Sequence, residues 1–360
     1  MHQSLQPYLD RAAQGLLRMV EQGDLVLFNY TDRCTFERAW DEYTLAARGI
    51  IFERDTGRIV ARPFDKFFNY EEHSRDGMRA VEEMIAQPHY IQEKMDGSLG
   101  IIYYHNFGWH VATRGSFTSD QALKAQGMLE RYGFHHCYSN WTFLVEIIYP
   151  ENKIIVPYGD QEKLVLLAVR DTASGLYLHH FSIKSYAESL QMEMVPSVEM
   201  TIEEALAKKK DLPYTEEGWV VVFQDDSRLK IKGDDYMRLA AFKANLSPLK
   251  VWEAMIDGSI QDMRVACPEE LGADMDAIRH RFVDDAAVLW EAVNKASIGI
   301  DWGLDRKTVA LQIQERPRWM HALLFNRIAP KAVPAQFLMR LLRPTNNTFA
   351  DISVFTEHSQ

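Results

Sequence analysis

A lysine followed closely by an Asp-Gly pair is the first feature of the sequence that could do chemistry. Lys94 opens the segment Lys94-Met95-Asp96-Gly97-Ser98 and closes a predicted β-strand. The strand would hold its amine on a rigid element, beside backbone amides that could approach a phosphate. A lysine amine is a nucleophile only when neutral, a form that burial or nearby cations favour. Taken alone, the segment is also compatible with a plain Asp-Gly turn between two strands.

Further charged residues recur in predicted strands and turns between residues 25 and 240. They are Arg48, Lys66, Arg114, Glu146, Glu217, Lys230 and Lys232. Lys230 and Lys232 alternate along one strand, so both amines should point to one face. Each residue has a simple structural alternative, namely an exposed face, a surface ion pair or a turn. Charges within apolar strands are costly unless they are paired or functional, so together they predict a cleft for a polyphosphate and a metal ion.

The elements that must position these residues follow an α+β pattern with mostly antiparallel connections. Residues 49–53 and 58–62 flank a predicted hairpin turn, as do residues 100–104 and 110–113. Further strands are predicted over 143–149, 163–170, 219–223 and 228–232, and helices over 121–132, 184–191 and 202–209. Near the N-terminus, Leu5, Leu9, Ala12, Leu16 and Met19 recur at helical spacing.

The pattern changes near residue 240, where we predict a domain boundary. The apolar period in residues 275–296 is helical, and residues 308–313, 319–328 and 335–342 also favour helices. The last helices are rich in lysine and arginine, with Trp319, Phe325 and Phe337 among them. Two interpretations stay open for this face: contacts to the phosphates and a base of a nucleic acid, or solvated cations around a helical core that contains the aromatic rings.

Composition limits the possible classes of protein. The chain has 360 residues and a formal net charge of −11, which excludes wholesale basic coating of a nucleic acid but not a local basic cleft. Three widely spaced cysteines favour neither a disulfide framework nor a cysteine-based zinc site. No apolar run approaches the length of a membrane span, and residues 1–21 do not resemble a signal peptide. We therefore expect a cytoplasmic protein without membrane contact.

The order and spacing of these segments resemble the covalent nucleotidyltransferases, which include polynucleotide ligases and mRNA capping enzymes. Residues 94–98, 143–147, 164–170, 216–220 and 229–232 resemble motifs I, III, IIIa, IV and V of that superfamily. Within it, the chain is most similar to the ATP-dependent RNA ligases of the phage RNA ligase 1 type. Those enzymes share an R-G-I-x-F-E segment, here residues 48–53, and an R-P-x-x-K-F-F-N segment, here residues 62–69.

The resemblance implies a fold and a set of site residues. The fold would be an α+β nucleotidyltransferase domain over 1–240, with ATP-grasp-like antiparallel sheets and flanking helices, followed by an all-α domain over 241–360. Lys94 would be the nucleophile. The implied ATP-binding residues are Tyr30, Arg48, Lys66, Phe68, Gly97, Arg114, Glu146, Glu217, Lys230, Lys232 and Tyr236. Arg114 stands where the phage enzyme has lysine, and Glu146 and Glu217 would also orient a metal ion through water.

The resemblance also implies an activity. ATP with Mg²⁺ (or Mn²⁺) would adenylate Lys94, the AMP would move to an RNA 5′-phosphate, and an RNA 3′-OH would displace it. Nicked tRNA is the implied substrate class, and an end-healing kinase-phosphatase is a possible partner in the same pathway. The helical domain would contact RNA through Arg316, Arg318, Arg327 and Lys331. The alternatives are a GTP-dependent capping-type enzyme, which usually carries an OB domain after motif V, and a non-catalytic protein that binds RNA ends on the same fold.

Overall fold

The computed structural model describes residues 5–73, 80–134, 137–328 and 334–356. The chain divides into two compact units, Met1–Met237 and Arg238–Gln360. The first unit contains all the strands of the described residues, and the second is helical. Within the described ranges, no helix is both long enough and apolar enough to cross a lipid bilayer.

Fourteen strands lie in the described part of the first unit. They are β1 (Leu17–Gln22), β2 (Leu25–Tyr30), β3 (Arg48–Glu53), β4 (Ile59–Ala61), β5 (Phe68–Asn69), β6 (His89–Glu93), β7 (Ser98–His105), β8 (Gly108–Thr113), β9 (Trp141–Ile148), β10 (Lys163–Asp171), β11 (Glu193–Met194), β12 (Ser197–Val198), β13 (Gly218–Phe223) and β14 (Arg228–Lys232).

The described helices are distributed over both units. They are α1 (Gln6–Ala13), α2 (Asp32–Glu37), α3 (Glu42–Ala46), α4 (Val81–Ile85), α5 (Asp120–Met128), α6 (His180–Leu190), α7 (Ile202–Lys208), α8 (Asp234–Asn245), α9 (Pro248–Asp257), α10 (Ile260–Ala266), α11 (Glu269–Ile298), α12 (Arg306–Gln314), α13 (His321–Ile328), α14 (Pro334–Leu341) and α15 (Ser353–Thr356).

The strands form three sheets. The first sheet has the order β1-β2-β3-β4 and is antiparallel throughout. The second has the order β11-β10-β9-β7-β8, in which only the β10–β11 pair is parallel. The third has the order β12-β6-β13-β14-β5, in which only the β14–β5 pair is parallel. These sheets, with helices around them, confirm the predicted α+β class.

The first and second sheets pack face to face. Leu25, Leu27 and Ile51 of the first sheet share a buried core with Ile101 and Leu144 of the second. The intervening residues of β2, Val26 and Phe28, face the opposite side and pack around Tyr8 of α1. Because both faces of the first sheet are covered, β2 is apolar at successive positions rather than at alternate ones. Helices α5 and α6 cover the other face of the second sheet, and α4 and α7 pack on the third.

The helix predicted from the spacing of Leu5 to Met19 is wrong in its second half. Helix α1 ends at Ala13, and Gly15 then adopts a φ of 76°. This left-handed conformation is one that glycine adopts readily, and it turns the chain out of the helix. Leu16 precedes strand β1, which contains Met19. The apolar residues thus keep a helical spacing beyond the point where Gly15 ends the helix.

The hairpin between β7 and β8 forms where it was predicted, with a turn at Asn106 and Phe107. Both residues have positive φ values, 45° and 63°. Two successive left-handed residues are typical of the tight turn that joins antiparallel strands with a right-handed twist. Asn suits this conformation, but Phe does not, and the Phe107 ring is 96% exposed.

The second unit has its own helical core. Phe282, Leu289 and Val293 of the 30-residue helix α11 pack with residues of α12, α13 and α14. Trp319, Phe325 and Phe337 are partly buried against this core. These three aromatic rings therefore belong to the helical core and do not form an open stacking face.

Candidate active site

Lys94 lies on the connection between two sheets. It follows β6 of the third sheet and precedes β7 of the second, so the interpretation of Asp96-Gly97 as a hairpin turn is wrong. Its backbone N–H donates to the carbonyl oxygen of Gly218 at 2.8 Å, which holds the lysine against the start of β13. Gly218 has a φ of 133°, and a Cβ there would lie 2.1 Å from the oxygen of Ile231. Only glycine therefore fits at residue 218, where β13 pairs with β14.

The carboxylate of Glu217 joins two of the predicted lysines. Lys94 Nζ donates to its Oε2 at 2.8 Å, and Lys232 Nζ lies 2.8 Å from its Oε1. The Glu217 side chain is only 3% exposed. A buried carboxylate with a cation at each oxygen offsets part of the cost of placing two ammonium groups side by side. The Lys94 nitrogen is thus oriented by its hydrogen bond to Glu217, and Lys232 is a second cation on the same carboxylate.

Glu146 projects from the middle of β9 in the second sheet and is buried. Burial raises the pKa of its carboxyl to about 7, although the charge of Lys94 opposes this rise. Gly97 packs directly on this strand, since a Cβ at residue 97 would lie 2.7 Å from the oxygen of Ile147 and 3.1 Å from Cγ of Glu146. The glycine after Asp96 therefore lets the lysine segment approach Glu146.

Three cations surround the hydroxyl of Tyr30, at the end of β2. Arg114 Nη1 donates to it at 3.2 Å, and Lys66 Nζ lies 5.3 Å from the ring centroid. Burial alone would raise the pKa of Tyr30, but Lys66, Arg114 and Arg48 together lower it below its usual value. Within the described residues, the buried Nη1 of Arg48 has no hydrogen-bond partner. An unpartnered buried guanidinium nitrogen is costly, so this cluster is prepared for an anion.

Gly49 brings Arg48 and Arg114 together across two sheets. It has a φ of 100°, and a Cβ there would lie 2.5 Å from Cδ1 of Ile101 and 3.0 Å from Cα of Arg114. The absence of a side chain lets β3 of the first sheet approach the end of β8 in the second. Glycine is thus needed after Arg48 at the start of β3, because a side chain there would clash with Ile101 and Arg114.

Lys230 carries the most perturbed amine of the site. Its pKa is lowered to about 6 by burial and by the charges of Arg48, Lys94, Lys66 and Lys232. The amine lies 4.6 Å from the ring centroid of Phe67, a contact that offers no formal negative charge. Lys230 is therefore mainly neutral near pH 7 until an anion compensates the surrounding cations.

Most of these groups face one cavity of about 530 Å³, which we call the first cavity, although Glu217 and Tyr30 are not among its lining residues. Its charged lining residues are Arg48, Glu93, Lys94, Arg114, Glu146, Arg228, Lys230 and Lys232. Met95, Ile154, Leu167, Val195 and Val220 form an apolar part of the same cavity. A cavity of this size with excess positive charge and an apolar wall matches a ligand that joins a base to a polyphosphate.

Two predicted ATP-binding residues lie on a neighbouring cavity instead. Lys66 and Phe68 line this second cavity of about 680 Å³, which shares Phe67 and Arg228 with the first. Lys66 is nevertheless close enough for its charge to lower the pKa of both Tyr30 and Lys230. The structure thus places Lys66 at the boundary between the cavities.

Asp96 is a positioning residue that sequence reasoning missed, although it stands between Lys94 and Gly97. Its Oδ2 accepts hydrogen bonds from the backbone N–H groups of Ile155 and Val156, each at 2.8 Å. Its Oδ1 accepts a hydrogen bond from the Tyr236 hydroxyl at 2.8 Å. Tyr236 therefore contributes by fixing the lysine segment from α8. Burial raises the pKa of Tyr236, so its hydroxyl stays a donor.

The two predicted metal contacts fit a cation that is held mainly by substrate. Glu146 and Glu217 supply two carboxylates, and Mg²⁺ often takes one or two carboxylates with phosphate oxygens and water as its remaining ligands. In the described residues, only Asp24, Glu53 and His105 form a group of three side chains that could share an ion, and they are not among the lining residues of the first cavity. The site thus provides no complete set of protein ligands.

The predicted RNA-contacting residues of the second unit are described unevenly. Arg318 is exposed, whereas Arg316 is partly buried with its Nη2 packed against Gly299. Arg327 lies in α13, and its side chain lies outside the described atoms, as does the whole of Lys331. The structure therefore leaves the RNA-binding role of this group a prediction.

Comparisons with known proteins give the family. The family model for RNA ligases matches residues 46–243, more than half of the chain. An RNA ligase of Rhodothermus phage RM378 is 25% identical over 317 residues, covering 69% of this chain and 71% of the phage protein. A protein of Autographa californica nuclear polyhedrosis virus, whose name gives it polynucleotide kinase and RNA ligase activities, is 29% identical over 269 residues.

The match to the baculovirus protein covers 68% of this chain but only 38% of that longer relative. Among solved structures, an archaeal ATP-dependent RNA ligase has a TM-score of 0.50 and 15% identity, covering 91% of this chain and 96% of its own. That similarity concerns the fold alone. The family match covers strands β3 to β14, including Arg48, Lys94, Glu146, Glu217, Lys230 and Lys232, and the chain belongs to the RNA ligase family.

Proposed function

We propose that this protein is an ATP-dependent RNA ligase that joins RNA 3′-OH and 5′-phosphate ends through a lysyl-AMP intermediate. The observation that carries the proposal is Lys94, hydrogen-bonded to a buried Glu217 at the wall of a cavity with six cationic side chains. Membership of the RNA ligase family supports the substrate class.

In the first step, the Lys94 nitrogen attacks the α-phosphorus of ATP. The Nζ–P bond forms, the bond to the bridging oxygen breaks, and pyrophosphate leaves with that electron pair. Lys94 must lose its proton, and Oε2 of Glu217, 2.8 Å away, is placed to accept it. Arg48, Lys230 and Lys232 stabilise the charge that develops on the phosphoryl oxygens and the leaving group.

In the next two steps the AMP passes through RNA. An oxygen of the RNA 5′-phosphate attacks the phosphorus of lysyl-AMP, the P–N bond breaks, and Lys94 regains a proton. The 3′-OH then attacks the RNA phosphorus of the resulting anhydride, and AMP leaves. Each displacement develops charge on a phosphoryl group, so the same cations serve all three.

A divalent cation, Mg²⁺ or Mn²⁺, would be held by substrate phosphates and by Glu146 and Glu217 through water. When bound, it would neutralise phosphate charge and align the leaving group. The raised pKa of Glu146 marks it as a carboxylate whose ionised form is stabilised by an arriving cation.

Family membership supports RNA as the substrate class. We propose RNA repair, with nicked tRNA as the substrate class. The baculovirus relative carries kinase activity in its name beside RNA ligase activity. An end-healing enzyme is needed wherever breaks leave a 5′-OH or a cyclic phosphate, because neither end can enter the ligation steps. Arg318 and the other cations of the second unit are proposed to contact RNA phosphates.

Label transfer from ATP tests this function. The protein is incubated with Mg²⁺ and ATP labelled in its α-phosphate, beside GTP and NAD⁺, and quenched in denaturant. We expect an acid-labile adduct from ATP that is absent from Lys94→Ala. Lys163→Ala is the matched control, since Lys163 is a strand lysine paired with Glu193 at 2.6 Å and lies outside the first cavity.

The other outcomes identify the alternatives. An adduct from GTP would move the assignment to a capping-type enzyme. No adduct from any nucleotide, with folded and nucleotide-free protein, would refute the enzyme and leave a protein that binds RNA ends. An adduct that persists in Lys94→Ala would refute the choice of nucleophile.

A further inference from the structure

Apart from Lys66 and Phe68, which the resemblance assigns to ATP binding, the second cavity has no role in the chemistry derived so far. Its volume is about 680 Å³, and it is formed by segments that lie far apart in the sequence, around residues 35–45, 65–73, 170–177 and 225–228. Phe67 and Arg228 line both cavities, so the two are neighbours across a thin wall. A ligand in the second cavity that extends past these two side chains would reach the first cavity.

The charge of the second cavity differs from that of the first. Its cations are Arg38, Lys66, Arg170 and Arg228, and its carboxylates are Asp65, Glu72, Asp225 and Asp226. Arg170 is already paired with Asp65, with 3.0 Å between Nη1 and Oδ1. The first cavity sets six cations against two carboxylates. A polyphosphate prefers the first cavity, whereas the balanced second cavity suits an uncharged group that carries hydroxyl donors.

Aromatic rings form much of the remaining wall. Trp40, Phe67, Phe68 and Tyr177 line the cavity, and the rings of Trp40 and Phe68 lie edge to face with centroids 5.6 Å apart. Arg228 and Arg170 lie 4.0 Å and 4.6 Å from the ring centroid of Tyr177, and Phe64 stacks on the same ring. Tyr177 is therefore already covered, and the partly exposed Trp40 is the ring that we assign to a stacking ligand. Aromatic and guanidinium planes are the surfaces on which unpaired bases stack.

From this juxtaposition we propose that the second cavity binds the 3′-terminal nucleoside of the RNA acceptor. The base stacks on the aromatic wall, the ribose hydroxyls donate to carboxylates of the cavity, and the 3′-OH faces the first cavity past Phe67 and Arg228. This inference rests on the proposed ligase function. The competing occupant is the 5′ nucleoside of the donor, whose phosphate would face Lys94, and the crosslinking experiment below distinguishes the two.

Arg38, at the rim of the second cavity, is placed to pair with the phosphodiester charge of the acceptor. It ends α2 with a φ of 51°, and its side chain is exposed. An acceptor bound by its terminal nucleoside brings one phosphodiester to the mouth of the cavity, where Arg38 can pair with it. In the sealing step the 3′-oxygen forms a bond to the donor phosphorus, the P–O bond to AMP breaks, and the hydroxyl proton leaves to solvent.

A sealing assay with a pre-adenylated RNA donor and no ATP isolates this step. Leu176→Glu is the test variant, because Leu176 lines the second cavity and is 67% exposed, so the change leaves folding intact. We expect the KM for the acceptor to rise by about tenfold or more, because a carboxylate at this lining position would repel the acceptor phosphodiester. Leu123→Glu, at a 56% exposed leucine of α5 outside both cavities, is the matched control.

Arg38→Asn gives a second measurement with little backbone cost, since Asn tolerates the left-handed conformation. Its acceptor KM should rise less at high salt than at low salt, because a phosphate contact is screened. In both variants, transfer of AMP from ATP to Lys94 and from Lys94 to the donor should be unchanged. An unchanged acceptor KM in Leu176→Glu would overturn the proposal.

Crosslinking identifies the occupant directly. An acceptor with 4-thiouridine at its 3′ end should crosslink to peptides that contain residues 35–45 or 170–177. Crosslinks only to other peptides, or crosslinks of these peptides to the 5′ base of the donor, would overturn the assignment. If wild-type protein forms no lysyl-AMP, the proposed function fails, and the acceptor crosslink then reports on the cavity alone.

Discussion

Lys230 should take up a proton when a polyphosphate enters the first cavity. Its pKa is lowered to about 6 in the ligand-free protein, so at pH 8 the amine is mainly neutral. Phosphate oxygens beside it favour the charged form, and an ordinary lysine pKa of about 10.4 would make charging almost complete. The expected uptake at pH 8 is therefore close to one proton for each nucleotide bound.

The sign of the pH dependence follows from this shift. Because binding raises the pKa of Lys230, the bound state holds more protons than the free state between pH 6 and the bound pKa. Affinity should fall with rising pH in that window, by about tenfold for each unit between pH 7 and 9. The same argument holds for any free-state pKa below about 7.

Calorimetry in buffers of different ionisation heat measures the uptake. The probe is an ATP analogue with a methylene group between the α- and β-phosphates, which cannot transfer AMP, in the presence of EDTA. At pH 8 a terminal phosphate with a pKa of about 6 is already ionised, and so is most of Glu146 with its pKa of about 7. The bound polyanion also raises the pKa of Glu146, so the uptake by Lys230 is the difference between the slopes of the wild type and a Lys230→Gln variant.

Lys230→Gln provides the control for this measurement. It should bind the analogue more weakly and take up almost one proton fewer than the wild type. A wild-type slope near zero, or equal uptake in the two proteins, would refute the reasoning, because a different group would then carry the linkage.

Three further changes test other parts of the site and fold. Gly97→Ala should slow adenylation by about tenfold or more, since its Cβ would lie 2.7 Å from a backbone oxygen of β9, whereas Gly115→Ala, with nothing nearer than 3.8 Å, should not. Equal rates would contradict this packing. Tyr236→Phe should lower the free energy of unfolding in urea by about 1–2 kcal/mol, because Asp96 loses a buried hydrogen bond; an unchanged midpoint would contradict it. Phe107→Gly should raise Tm, since it relieves a positive φ of 63° at an exposed ring; a lower Tm would show that the ring stabilises the hairpin.

Strand-level features of the fold could be predicted from the sequence because local patterns decide them. Strand β14 begins and ends at the predicted residues, since Lys230 and Lys232 alternate with buried Leu229 and Ile231. The end of α1 could not be read from apolar spacing, because the φ of Gly15 decides it. Likewise, Asp96-Gly97 has the composition of a hairpin turn, but the partners of β6 and β7 lie in different sheets, and pairing partners are a property of the whole fold.

The site residues also divide into those that the sequence singled out and those that it did not. Lys94, Glu146 and Glu217 stand in short segments with unusual charges, so sequence alone singled them out. Their roles stay predictions until adenylation is measured. Trp40 and Tyr177 carried no signal, because an aromatic residue in a loop is common and these two meet only after segments more than a hundred residues apart come together. Asp96 was visible in the motif, but its backbone partners at residues 155 and 156 were not.

The three-sheet origin of the first cavity has a consequence for folding. Arg48 comes from the first sheet, Glu146 from the second and Lys230 from the third. No fragment that lacks one sheet can assemble the cation cluster, so nucleotide binding reports on the cooperative unfolding of the whole first unit. A bound polyanion also relieves the repulsion among these cations, and should therefore slow proteolysis of all three sheets together rather than of the loops that touch it.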